Sequence, residues 1–416
     1  KKSVSRPTEA LLRGLLFICP QLPERNLGTH MDIEIGRGKT ARRAYGLDEI
    51  AIVPSRRTRD PEDVDISWSL GNLNLDLPCL ASALDAAVDP TTAGIIGSLG
   101  GLAVLNLEGL QTRYEDPGPI FEEIASLPEH KATRVMQDIY AEPIKEELIF
   151  RRVQEIKDKG VIAAASLTPQ RVERYHRAAI EAGLDVLVVQ GTVVSAEHVS
   201  RSVDPLNLME FVPSLNVPVV VGGCASYSTA LHLMRTGAVG VLVGVGPGRI
   251  CTTRGVIGVG VPQATAVADA AAARMRHYLE TGEYVNVIAD GGMRTGGEIA
   301  KAITCGADAV MLGSAFARAE EAPGRGYSWG MATFHPTLPR GTRISTRTTG
   351  ALEEILVGPA RENDGTLNLM GALRTSMATT GYQNIKEFQK AEVMYAPSLA
   401  TEGKTEQAAQ RVGMGR

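Results

Sequence analysis

Cys251 is the residue of this 416-residue chain best set for nucleophilic chemistry. It lies in Gly244-Val-Gly-Pro-Gly-Arg-Ile-Cys251-Thr-Thr-Arg-Gly-Val-Ile-Gly-Val-Gly-Val-Pro-Gln263, a stretch too rich in glycine to be packed core. Glycines 244, 246 and 248 permit turns that side chains forbid, so carbonyls and amides can converge there on a small guest or an ion. Thr252, Thr253 and Arg254 follow at once, two hydroxyls and a cation of the kind that favour a thiolate. A lone cysteine is often no more than a small buried hydrophobe. The glycine loop and its polar followers argue for the nucleophile instead.

A second constellation suits an anion. Ile288-Ala-Asp290-Gly-Gly292 ends an apolar run, and Thr295-Gly-Gly297-Glu-Ile299 opens a helical pattern. Amides at such a turn attract phosphate, and the carboxylate is free to hold a pair of sugar hydroxyls. Met311-Leu-Gly313-Ser314 repeats the turn one apolar run later. Two successive glycine turns match the phosphate site that barrels form after strands 7 and 8. Either could be a tight turn and no more. Seven histidines show no spacing with acids or cysteines that suggests a zinc site or a catalytic triad.

What positions these groups is a series of short apolar runs alternating with helical patterns. The runs are 77–82, 101–107, 161–166, 185–189, 217–221, 238–243, 285–288 and 307–311. Eight such units predict an α/β fold, a single (β/α)8 TIM barrel, with Cys251 after the sixth strand on the face that carries chemistry. Ala132–Ile139 is a ninth strand candidate and is left outside the barrel. Helices are expected over 115–126, 143–159, 226–236, 266–281 and within 366–390. After residue 315 the pattern loosens, and 324–350 reads as a long flap or binding loop.

Composition bounds the partners. A net charge of −4 and 5% aromatic residues do not favour nucleic acid. Five widely spaced cysteines without a CxxC pair suggest a reducing, cytoplasmic setting and neither a disulfide framework nor a zinc site. No apolar run approaches the ~20 residues of a membrane span. Leu11–Cys19 is split by Arg13, and residues 1–30 read as an extension outside the fold, with Met31 opening the body. The expected layout is a catalytic barrel over 31–404 and a polar tail over 405–416.

The cysteine stretch resembles the catalytic loop of the IMP dehydrogenase/GMP reductase family, and the resemblance runs from about Asp48 to Lys404. It is nearest to the short bacterial branch without CBS (Bateman) domains. Residues 132–160 stand where long relatives carry a CBS pair and are too few to hold one, so the purine-nucleotide control of that pair is expected to be absent. The resemblance implies that Cys251 is the nucleophile and that Thr253 acts beside it. It gives Asp290 the ribose, and Gly292, Gly313 and Ser314 the 5′-phosphate. Ser82 would touch phosphate, Leu84 the purine, and Gly330 with Met331 phosphate and base. Carbonyls of Gly246, Gly248 and Cys251 would hold K+. Gln190, Gly244 and Gly246 would border NAD.

The chain departs from the family pattern at several points. Arg249 stands in place of a phosphate-binding serine, and could grip phosphate or turn to solvent. Gln190 replaces an aspartate, and Cys224 replaces an asparagine facing the reaction. The usual Arg-Tyr flap pair is missing, and Arg340 and Arg343 are the candidates for activating water. The implied activity is oxidation of IMP to XMP with NAD in a homotetramer. The alternatives are GMP reductase, with NADPH, and a silent purine-nucleotide binder, against which the retained Cys251 and Thr253 argue.

Overall fold

Each of the eight apolar runs forms a parallel strand in the computed structural model, which describes residues 32–201, 205–399 and 401–415. The strands are β1 (Cys79–Ala81), β2 (Leu102–Asn106), β3 (Ala164–Leu167), β4 (Val186–Gln190), β5 (Val219–Cys224), β6 (Gly240–Val243), β7 (Asn286–Asp290) and β8 (Ala309–Leu312). They close in chain order, with β8 pairing back onto β1 so that Met311 faces Leu80. Most of their side chains are fully buried, which is why they read as continuous apolar runs with no alternation.

Helices return the chain between strands: α1 (Pro90–Ser98), α2 (Gly118–Ser126), α3 (Glu129–Ile139), α4 (Glu146–Lys157), α5 (Val172–Glu181), α6 (Tyr227–Met234), α7 (Thr253–Ile257), α8 (Gln263–Thr281) and α9 (Gly296–Thr304). Between β4 and β5 the described residues hold only Leu208–Phe211 and a short 3-10 turn. Capping is local and explicit: Asp89 starts α1, Ser226 starts α6, and Thr295 with Glu298 forms a capping box on α9. The ninth candidate, Ala132–Ile139, lies in the helix α3, outside the barrel sheet.

The N-terminal end of the barrel is plugged by the hairpin Trp68–Leu70/Leu73–Leu75. Leu70 is fully buried and would lie 3.3 Å from a methyl group placed on Gly240, while Asn286 donates to the Ser69 carbonyl at 2.9 Å. At the opposite end, residues after β8 leave the barrel. Tyr327–Ser328 and Ile344–Ser345 pair as an antiparallel stem, and residues 329–343 form the arm above it. The loose stretch 324–350 is this flap.

One expected boundary differs. The compact unit containing the barrel begins at Tyr45, not at residue 31. Asp32–Gly36 and Lys39–Arg42 pair with each other in an antiparallel hairpin within a separate unit. The polar tail from 405 holds the helix Thr405–Gln410 with no buried side chain. Residues 1–30 lie outside the described residues. No described helix is long and apolar enough to cross a membrane.

Candidate active site

The loop after β6 carries Cys251 to the C-terminal mouth of the barrel. Gly244 is required there by close approach, since a Cβ on it would lie 2.1 Å from the Asp290 carbonyl oxygen. Gly246 has φ +70°, a turn that favours glycine. Arg254, expected as a cation beside the thiol, interacts electrostatically with Cys251 and also ties the loop down by donating to the carbonyls of Val245 at 3.0 Å and Val261 at 2.7 Å. Gln263 joins this loop to its neighbour, donating to Val243 O at 2.6 Å and Asp290 O at 3.3 Å.

The half-buried Cys251 thiol donates to Thr253 Oγ1 at 3.1 Å and lies 3.7 Å from the Arg340 carbonyl. Thr253 is itself fully buried at the start of α7, which fixes its hydroxyl. The flap reaches the same loop through main chain. Cys251 and Gly341 form an antiparallel bridge, Thr252 N donates to Arg340 O at 3.2 Å, and Thr342 N donates to Ile250 O at 3.0 Å.

Around these groups opens a cleft of about 1120 Å³. Its walls include Ser82 and Leu84 after β1, Gln190 at the end of β4, and Gly246, Gly248, Arg249 and Cys251 after β6. Asp290 and Gly292 after β7, Gly313 and Ser314 after β8, and Gly330, Met331 and Arg340 of the flap complete them. All the expected site residues thus share one cavity except Arg343. Its guanidinium donates to the carbonyls of Ile124 and Ala125, at 2.6 and 3.4 Å, and Leu127, at 2.6 Å, and lies 4.2 Å from the centre of the Tyr327 ring. Arg343 therefore caps α2 and is withdrawn as a water activator. Arg340 keeps an unpartnered, buried Nε at the cleft wall.

Cys224 also changes role. Its thiol points at the Leu242 carbonyl, 3.5 Å away, and burial pushes it up to about 12. It is a core residue of β5, because the strand continues through Gly222-Gly223 instead of turning there.

The electrostatics divide the cleft. Burial pushes the Asp290 carboxyl up to about 7, opposed by the Gln190 amide that donates to it at 3.2 Å. Gln190 Oε1 is buried and has no partner, an acceptor awaiting a donor. Beyond the glycine turns, Arg318 is lowered from its ordinary value by burial and by nearby Arg249, Arg347 and Arg294, with Asp364 opposing. Arg294 is paired with Glu298 at 2.9 Å. Of these cations, Arg249 and Arg294 line the cleft together with the turns expected to hold phosphate.

Sequence reasoning gave no role to His335, Gln263, Arg294 or Arg318. His335 lines the cleft, and its Nδ1 accepts from the amides of Thr337 at 3.3 Å and Leu338 at 3.0 Å, which puts the ring proton of the neutral form on Nε2. Gln263 closes the cysteine motif and was visible on that account. Nothing local marks the other three.

Residues 44–335 match the IMP dehydrogenase / GMP reductase domain. The chain belongs to the IMP dehydrogenase/GMP reductase family. It is 48% identical over 367 residues to an uncharacterized oxidoreductase of Mycobacterium tuberculosis, covering 86% of this chain and 98% of that one. An inosine-5′-monophosphate dehydrogenase of Methanocaldococcus jannaschii is 26% identical over 475 aligned residues, covering 84% of this chain and 92% of its own. The crystal structure of an IMP dehydrogenase/GMP reductase-like protein from Corynebacterium glutamicum superposes with a TM-score of 0.84 at 43% identity, covering 88% of this chain and 97% of that one. The family is of the oxidoreductase type. Where long relatives would carry a CBS pair, this chain has only α2 to α4 and their links.

Proposed function

We propose that this chain is an IMP dehydrogenase, oxidising IMP to XMP with NAD through a covalent intermediate on Cys251. The observation that carries the reading is the Cys251 thiol, 3.1 Å from the buried Thr253 hydroxyl, in one cleft with Asp290, two glycine turns, Arg249 and Arg294. A thiol so placed suits addition to an electron-poor ring carbon, with the sugar and phosphate held apart from it.

The steps are as follows. Asp290 takes the ribose hydroxyls, and Gly292, Gly313, Ser314 and Arg249 take the 5′-phosphate. Leu84 and Met331 flank the base. The Cys251 sulfur adds to C2 of hypoxanthine, Thr253 supporting the charge that develops beside it. C2 then loses a hydride, for which NAD+ would serve as the acceptor when bound, and a thioimidate on Cys251 remains. Water then adds to that carbon, its proton passing to a group on the flap, and the C2–S bond breaks to release XMP and the thiolate. Arg340, whose carbonyl accepts from Thr252 N, is the flap residue proposed for this; it can take that proton only as the neutral guanidine, having first released one of its own to solvent.

NAD and K+ are the two small groups this chemistry calls for. The orphaned Gln190 Oε1 is the acceptor that a ribose hydroxyl of the dinucleotide would satisfy. The carbonyls of Gly246, Gly248 and Cys251 are the oxygen donors proposed for K+. Bound K+ would brace the cysteine loop. We further propose a homotetramer, on family likeness.

GMP reductase is the second reading, favoured by one observation: the Arg343–Tyr327 pair that the flap does possess faces α2 and not the cleft. Absorbance at 340 nm separates the two. With IMP, NAD+ and K+ it should rise, and Cys251→Ala should abolish the rise. A fall with GMP and NADPH and no rise with IMP would make the protein a reductase.

A further inference from the structure

Tyr140, the residue that ends α3, stands behind both walls of the cleft that would enclose the base. It is 6% exposed, and its hydroxyl donates to Asp85 Oδ2 at 2.6 Å while accepting from Trp329 Nε1 at 2.7 Å. Asp85 follows Leu84 directly, and Trp329 directly precedes Gly330 and Met331. Asn106, at the end of β2, points its amide at the same carboxylate from 3.4 Å. The Tyr140 ring stacks on Phe334 of the flap with centres 3.4 Å apart and planes 7° from parallel, and Gln137 of α3 donates to the His335 carbonyl at 3.0 Å.

We propose that Tyr140 is a positioning residue for the purine nucleotide: one phenol fixes the loop after β1 and the base of the flap at the spacing the base requires. The inference rests on the reading that a purine nucleotide lies between Leu84 and Met331. The physical basis is that a buried hydroxyl with both partners satisfied adds a side-chain tie between two segments already joined by the Gly324–Ala86 backbone bond, and an unsatisfied partner moves to find another. Asp85 and Trp329 are 244 positions apart and both bond the Tyr140 hydroxyl, while Gly324 N donates to the Ala86 carbonyl at 3.2 Å beside them. The segment between β2 and β3 thereby acts on the site from within its own subunit, through packing and two hydrogen bonds.

The test is Tyr140→Phe, which keeps the ring and its stack on Phe334 and removes only the hydroxyl. IMP affinity by calorimetry, steady-state kinetics and the rate of Cys251 alkylation by iodoacetamide are compared with the wild type. The expected result is a dissociation constant and KM for IMP raised about tenfold, kcat within about threefold and the alkylation rate of the free enzyme unchanged. Trp329→Phe should raise the dissociation constant similarly, and the double variant should add little to either. A lower melting temperature with unchanged IMP affinity in both single variants would reduce the network to a structural element and overturn the proposal. Should the wild type bind GMP and not IMP, the same comparison is made with GMP. A wild type that binds neither overturns the functional reading and this inference together, whereas binding that the variants leave untouched overturns this inference alone.

Discussion

Cys251 and Gly341 are partners in an antiparallel bridge, so the nucleophile loop and the flap meet as one piece of backbone. The join is tight. A methyl on Gly341 would lie 2.6 Å from Thr333 Oγ1, the atom that accepts from Gly330 N at 3.0 Å. Gly341→Ala should therefore push the flap off Cys251 and disturb Gly330 in the same movement. Turnover is expected to fall by at least about tenfold, as misplacement near a reacting group costs, with the melting temperature little changed. Progress curves at 340 nm and a thermal melt check both.

Thr253 offers a sharper variant because it is buried and contacts the thiol alone among the reactive groups. Thr253→Val preserves shape and removes the hydroxyl 3.1 Å from Sγ. Loss of one such polar contact to the reacting centre should lower kcat by roughly 10²-fold. The IMP dissociation constant should stay within about threefold, because no ribose or phosphate contact is touched.

Arg340 and Arg343 are three positions apart and should behave as different kinds of residue. Arg340→Ala leaves addition and hydride loss intact and impairs hydrolysis. A rapid-mixing trace should show a burst near one equivalent per site and then a steady rate lower by about 10²-fold or more. Arg343→Ala strips the carbonyls at the end of α2 of their donor and should cost about 1–3 kcal/mol of stability. Its ratio of burst to steady rate should match the wild type. The reverse pattern would return Arg343 to the chemistry.

Much of this was legible in sequence, for identifiable reasons. The eight strands announced themselves because a parallel barrel buries both faces of each, which writes continuous apolar runs between glycines. The cysteine loop was legible because its glycines are needed for turns and close approach, as at Gly246 and Gly244. What stayed hidden depends on direction and distance. Spacing cannot tell that Arg340 borders the cleft while Arg343 turns to α2. Nor can it tell that Gly222-Gly223 continues β5 and buries the Cys224 thiol. The Tyr140 hydroxyl joins residues 55 and 189 positions away. No local pattern encodes such a meeting.

Asp290 should make nucleotide affinity depend on pH near neutrality. Its carboxyl is pushed up to about 7 in the free protein, and sugar hydroxyls donate to the ionised form. As pH falls through about 7 the free carboxyl protonates, and binding must then expel that proton. The IMP dissociation constant should be flat above about pH 8 and rise toward tenfold per unit well below 7. Asp290→Asn should weaken binding and flatten this limb. The flattening separates the carboxyl from the phosphate, whose own second ionisation lies near ~6. Calorimetry in buffers of different ionisation enthalpy would count the proton released by the wild type below pH 7. A count of zero would remove Asp290 from the ribose.

Asp308 supplies the opposite sign at the other end of the barrel. It immediately precedes β8 and is bonded by Arg274 at 2.7 Å, Gln389 at 2.9 Å, Tyr284 at 2.7 Å and the Val287 amide at 2.8 Å, with Lys386 also in contact. Burial alone would push its carboxyl up, but Arg274 and Lys386 more than offset this and hold it down to about 2. A folded value below the unfolded one contributes stability that is present above about pH 4 and lost as pH falls toward 2. That contribution is on the order of 2 kcal/mol. Asp308→Ala would leave the Arg274 guanidinium buried without its partner, and the expected loss at neutral pH is about 3–5 kcal/mol. Because the network lies at the N-terminal face of the barrel, away from the cleft, kcat and KM of the folded fraction should not change. Urea titrations at pH 7 and pH 3 test both limbs: the gap between wild type and variant should narrow at the lower pH, and a gap that widens would mean Asp308 folds protonated.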